Sequence, residues 1–120
     1  MGDRTVLRHK IVLVPFPFDD LSDSKVRPAI CLTEPVGSYR HVVLAFITSR
    51  VVVDDLEETD VVLEPSQTGF AATGLRAPST IRLHRLLTIS ESLILRELGE
   101  LSLGMQSQVA GKLRRLFGLP

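Results

Sequence analysis

Apolar and β-branched residues gather in short runs along most of this chain, and helical spacing takes over only near the end. Residues 10–14, Lys-Ile-Val-Leu-Val, predict a first buried strand. Pro15-Phe16-Pro17-Phe18 stops it, because proline donates no ladder hydrogen bond. A polar loop follows over residues 19–25. Residues 28–33 predict a second strand and 41–48 a third, with Pro35-Val36-Gly37-Ser38 turning the chain between them. Residues 51–53 can extend the sheet, and 60–63, 80–83 and 87–89 are further strand candidates. Residues 54–60 hold five acids in seven positions, the pattern of a solvated loop. Gly69 and Gly74 lack a phosphate-loop pattern and read as turns.

Two helices are expected at the C-terminus. Ser90 can cap a short one ending at Gly99, and Ser102 a longer one ending at Gly118. In the second, Met105, Val109, Leu113, Leu116 and Phe117 form one apolar stripe, read as core or dimer contact. Short strands followed by helices predict a mainly β fold, a small antiparallel barrel with helices packed outside it.

The 120 residues suit a single domain over residues 1–120. The lone Cys31 excludes an internal disulfide and a cysteine-rich zinc site, and fits a reducing cytoplasm. Within a strand it reads as a small core residue. The first ten residues carry Asp3, Arg4, Arg8 and Lys10 with no apolar signal region. Met1-Gly2 opens like a myristoylation site, but Val6 stands where serine or threonine is required. The longest apolar run, residues 42–47, is too short to span a bilayer. No membrane association is expected.

Formal net charge is zero, which argues against a general nucleic-acid coat yet permits an enzyme that grips a few nucleotides. Eleven arginines against three lysines favour planar, bidentate contacts to phosphate or carboxylate. Genomic base composition accounts for that ratio equally well. His9, His41 and His84 lack metal-ligand spacing, so no metal or other cofactor is expected, and all three read as structural or exposed. Asp19-Asp20 reads as loop composition.

The chemistry concentrates where strands two and three end. If their hairpin is symmetric about Gly37-Ser38, paired residue numbers sum to 75, and Arg27 faces Thr48 with Ser49 beside it. Directly opposed residues have Cβ atoms roughly 5 Å apart. Such a group suits phosphodiester cleavage in RNA, where the 2′-hydroxyl is a built-in nucleophile. The protein must then align that oxygen with phosphorus and stabilise charge on the phosphoryl oxygens. Arginine is a permanently charged bidentate donor but a poor general base, its pKa exceeding about 12. Arg27 is therefore cast as electrostatic stabiliser and proton donor, and Thr48 as positioner of the scissile phosphate. On the residues alone, an arginine before a strand and a threonine after one are also ordinary surface residues.

The run Lys10-Ile-Val-Leu-Val-Pro-Phe-Pro-Phe-Asp-Asp-Leu-Ser-Asp-Ser-Lys-Val-Arg-Pro-Ala-Ile resembles the opening of the PemK/MazF toxins of bacterial toxin–antitoxin pairs. Ala45-Phe-Ile-Thr-Ser is similar to that family's Thr-Ser strand end. Thr73-Gly-Leu, Pro78-Ser-Thr-Ile-Arg-Leu and Leu98-Gly-Glu-Leu-Ser resemble its later segments. Each piece is unspecific; the order and spacing carry the match over nearly the whole chain. The resemblance implies an SH3-like antiparallel β-barrel with short helices and a C-terminal α-helix. It implies a homodimer that cleaves single-stranded RNA without metal, and an antitoxin partner covering the RNA groove. By position it assigns catalysis to Arg27 and Thr48, and a substrate-closing loop to Ser22, Ser24 and Lys25. It also brings Ser49 and Ser79 to the RNA. The family usually has Gly-Asp before the first strand, where this chain has His9-Lys10. The competing classes are a gyrase-poisoning barrel, whose resemblance usually includes a terminal tryptophan that this chain lacks, and a silent member that only binds antitoxin.

Overall fold

The computed structural model describes residues 6–15, 25–49 and 55–120. Expectations for residues 1–5, 16–24 and 50–54, including Ser22, Ser24 and the strand extension at 51–53, lie outside the described residues. Among the described residues, six strands make one antiparallel sheet: β1 (Lys10–Pro15), β2 (Val26–Cys31), β3 (His41–Thr48), β4 (Asp60–Leu63), β5 (Ser79–Ser90) and β6 (Arg96–Glu100). Their order across the sheet is β4-β5-β3-β2-β1-β6, curled into a half-barrel with α1 (Leu103–Leu116) packed on it. No helix among the described residues is long and apolar enough to cross a membrane.

Each strand puts alternate residues on opposite faces, and both faces are buried in the middle of the sheet. On one face Ile11, Ile30, Ala45, Ile47, Val61, Ile81 and Leu83 pack under Met105 and Val109 of α1, with Leu113 and Leu116 at the edge. On the other, Val12, Val14, Ala29, Cys31, Val42 and Leu44 form a second cluster closed by Leu7, Leu87, Ile89 and Ile94. Phe117, at the end of the expected stripe, follows the last helical turn and is exposed in the single chain. The Ser102 hydroxyl caps α1 by accepting from the Met105 N–H at 3.2 Å. Left-handed Gly118 closes the helix with paired bonds, Gly118 N to Arg115 O and Leu119 N to Arg114 O.

The expected helix over residues 90–99 does not form. After a 3₁₀ turn at Glu91–Leu93 the chain runs extended into β6. The open edge of β1 decides this: Leu95 N–H donates to Leu13 O, and β6 completes the sheet against β1. Long-range pairing overrides a weak local helical pattern. The Ser90 hydroxyl caps nothing and bonds to Ser92 instead. The strands expected at 80–83 and 87–89 fuse into the single long β5. Gly99 and Gly74 let β6 and the 3₁₀ turn Ala71–Thr73 touch backbone to backbone; a Cβ on either would collide with the other's carbonyls.

Residues 55–58 of the acidic stretch are exposed, as expected of a solvated loop, and the exception is Asp60. Asp60 is buried in β4, Asp55 and Asp60 both pair with Arg82 of β5, and Glu58 is held by Arg115 and Lys112 of α1. Its charges anchor the approach to β4 from both sides.

Candidate active site

The β2–β3 register is Ala29–Phe46, Ile30–Ala45 and Cys31–Leu44, so the pairs do sum to 75. The hairpin centre is nevertheless displaced. Val36 bridges His41, which places the turn over Gly37 to Arg40, with positive φ at both of those residues. The segment after β2 absorbs the two-residue offset: Leu32 donates to Val43 O, and the Thr33 hydroxyl accepts from Val43 N–H. The strand register matched expectation although the turn did not.

Extending the ladder by two residues sets Arg27 opposite Thr48. Printed pairs flank both: Val14 opposes Arg27 on β1, and Thr80 opposes Thr48 on β5. Directly paired residues share a face, so Val14, Arg27, Thr48, Thr80 and then Val62 of β4 form one row across the sheet. Arg27 and Thr48 are half-buried, at the end of the hairpin remote from its turn. Lys25, just before β2, and Ser49, just after β3, are exposed at the same end. Ser79 is not brought into this row. It is buried on the opposite face and donates its hydroxyl to Ala77 O at 2.8 Å. Ser22 and Ser24 lie outside the described residues.

A second row adjoins the first on the same face: Phe46 pairs with Arg82, and Arg82 with Asp60. Here β5 bulges. Leu83, His84 and Arg85 fall between the Arg82–Phe46 and Leu86–Ala45 pairs and have no counterpart on β3. The bulge sets the Arg85 guanidinium 5.7 Å from the centre of the Phe46 ring, an attractive cation–π distance. Arg82 Nε lies 3.4 Å from Asp60 Oδ1, with the Asp60 side chain only 1% exposed. His84 Nδ1 stands 3.8 Å from the same oxygen. Three buried polar side-chain atoms have no hydrogen-bond partner among the described residues, and all belong to these rows: Asp60 Oδ1, Thr80 Oγ1 and Arg82 Nε.

Sequence reasoning missed Thr80, Arg82 and Asp60. The signal was the alternation Thr80-Ile81-Arg82-Leu83, which puts two polar residues on one face of a buried strand, with an acid available in β4.

What this arrangement can do is set by its donors. A permanent cation and a hydroxyl on neighbouring strands can hold one phosphate, and Lys25 and Arg85 add positive charge at the same end despite the neutral chain. No group of three or more histidine, cysteine, aspartate or glutamate side chains among the described residues is arranged to hold a metal. Burial, reinforced by Glu34 and Glu97, pushes the Cys31 thiol up to about 12, so it supplies no thiolate nucleophile. His41 is exposed at the start of β3, at the opposite end of that strand from Thr48.

The turn before β1 explains one departure seen in the sequence. His9 takes φ +76, a conformation that favours glycine, and it is held there because its N–H donates to Cys31 O while its carbonyl accepts from Leu101 N–H. Lys10 binds Glu100 at 2.7 Å and Glu97 at 3.3 Å across the β1–β6 edge.

A family model described as PemK-like, MazF-like toxin of type II toxin–antitoxin system matches residues 7–117. No curated protein matches the chain. Among solved structures, the Mycobacterium tuberculosis toxin MazF-mt6 superposes with a TM-score of 0.68 at 23% identity, covering 92% of this chain and 98% of that one. A MazE-MazF structure from Deinococcus radiodurans gives 0.66 at 19% identity, covering 98% and 100%. An endoribonuclease in complex with its cognate antitoxin, from a Mycobacterial species, gives 0.67 at 16% identity, covering 95% and 94%.

Proposed function

The chain belongs to the PemK-like, MazF-like toxin family of type II toxin–antitoxin systems, and from that premise we propose that it is a metal-independent endoribonuclease that cleaves single-stranded RNA. The observation that carries the reading is the row in which Arg27 and Thr48 occupy adjacent strands on one face of the sheet. The substrate's own 2′-oxygen attacks phosphorus as its proton passes to solvent, the bond from phosphorus to the 5′-oxygen breaks, and that oxygen leaves as a hydroxyl by taking a proton from solvent. Arg27 donates to the phosphoryl oxygens as negative charge grows on them, and Thr48 holds the phosphate in line for attack. Lys25 and Ser49 grip the flanking backbone. Products are a 2′,3′-cyclic phosphate and a 5′-hydroxyl end.

The active species is a cytoplasmic homodimer, and a cognate antitoxin silences it by covering the RNA groove. Neighbouring structures of the same fold that hold an antitoxin support this partner. A stable dimer buries on the order of 1,200–2,000 Å² in total; sedimentation at micromolar concentration checks for it, and a monomer alone would contradict it.

Incubation with a long single-stranded RNA in EDTA, followed by mapping of the new 5′ ends, tests the activity. Discrete cuts with 5′-hydroxyl ends are expected. Activity lost in EDTA and restored by magnesium would overturn the proposal.

A further inference from the structure

Thr80 is 1% exposed, and its hydroxyl has no hydrogen-bond partner among the described residues. A buried hydroxyl left unbonded is destabilising, and valine would fill the same space without that cost. Its position is specific: it is the direct partner of Thr48 in the β3–β5 ladder. Opposed threonines have Cβ atoms about 4.5–5.5 Å apart, within reach of a hydroxyl–hydroxyl bond after a side-chain rotation. On the same face Arg82 pairs with Asp60 and Asp55, and Asp60 Oδ2 accepts from the Glu57 N–H, although Arg82 Nε and Asp60 Oδ1 share with Thr80 the lack of a hydrogen-bond partner among the described residues.

We infer that Thr80 is a positioning residue for Thr48: its hydroxyl donates to Thr48 Oγ1, so that the Thr48 O–H is aimed at the phosphoryl oxygen of bound RNA. Hydrogen bonds in such a chain polarise one another, so Thr48 becomes the better donor when Thr80 stands behind it. The hydroxyl, without a partner among the described residues, then gains one when substrate turns Thr48 toward it. This rests on the nuclease reading above.

The test compares Thr80→Val, which removes the hydroxyl at constant shape, with Thr80→Ser, which keeps it. Cleavage kinetics and melting temperature are measured on the same samples. Thr80→Val is expected to lower kcat roughly five- to tenfold with KM little changed, and to melt no lower than wild type. Thr80→Ser is expected to keep kcat within about twofold while melting lower, since a buried methyl is lost. A merely structural Thr80 predicts that activity tracks stability in both variants. In a Thr48→Ala background, Thr80→Val is expected to cost nothing further. Thr80→Val as active as wild type, or an undiminished penalty without Thr48, overturns the positioning role alone. A wild-type chain with no cleavage overturns both this role and the nuclease reading.

Discussion

On the α1 side of the sheet, Ile30, Ala45, Ile47, Ile81 and Leu83 are sealed against Met105 and Val109, and the buried Ser79 on that face has its hydroxyl bonded to Ala77 O. On the other side, at the Thr48 end, the same strands present Arg27, Thr48, Thr80 and Arg82, joined by Asp60 from β4. Among the described residues, the buried polar atoms without hydrogen-bond partners all lie on the second face. A face that served packing alone would have been filled like the first, because unsatisfied polar groups lower stability. The difference is what the proposed site would produce, a face that keeps polar groups at the expense of stability.

The sharpest way to break the comparison is Arg27→Ala. Loss of a donor to transition-state charge typically costs ~100–1,000-fold in kcat, with the melting temperature little moved. Arg27→Lys recovers only part of it, because a point charge does not reproduce the planar fork. Thr48→Ala is expected to be impaired less, since it removes a neutral hydroxyl. Steady-state kinetics and thermal melting on the same preparations check this; full activity in folded Arg27→Ala would remove Arg27 from the chemistry.

The opposite outcome is expected across the sheet. Ile81→Ala, one residue from Thr80 but facing α1, should lose about 2–5 kcal/mol of stability, measured by urea unfolding. Cleavage per folded molecule should stay near wild type at low temperature. A large kcat loss in the folded fraction would show that the two faces are not separable.

These faces differ as much in how far the sequence revealed them. The apolar side was legible because alternation and β-branched runs predict strands directly, as in β3 and β4, and because Ser102 and Gly118 bracket α1. The register that aligns Arg27 with Thr48 was legible because β2 and β3 followed a simple pairing rule, although the turn that justified the rule lies elsewhere. Two features were hidden by their dependence on distant partners. The stretch before Glu100 turned from expected helix to strand because β1 offered an edge. Asp60 looked like loop charge because its partner Arg82 lies across the β4–β5 ladder.

The smallest expected effect is at the turn before β1. His9→Gly relieves the left-handed backbone, offset by the extra freedom of glycine in the unfolded chain, for a net gain of up to about 1 kcal/mol. It should also alter the response to acid. Burial, aided by Arg8 and opposed by Glu34, holds His9 below its ordinary value of 6.5. The unfolded chain therefore binds the proton more readily, and stability falls as pH drops below 6.5 toward the lower folded value. In His9→Gly this part of the acid sensitivity disappears. Melting curves across that interval check both signs, and a His9→Gly variant less stable than wild type would refute the strain.

The nuclease account stands most directly on one substrate change. After the cut site is mapped, an RNA containing two copies of it is made with a single 2′-deoxynucleotide on the 5′ side of one scissile bond, and is incubated with the wild-type chain in EDTA. The account predicts that the deoxy copy stays intact while the other is cut to a 2′,3′-cyclic phosphate. Equal cleavage of both copies would contradict attack by the 2′-hydroxyl, and with it the roles given to Arg27 and Thr48.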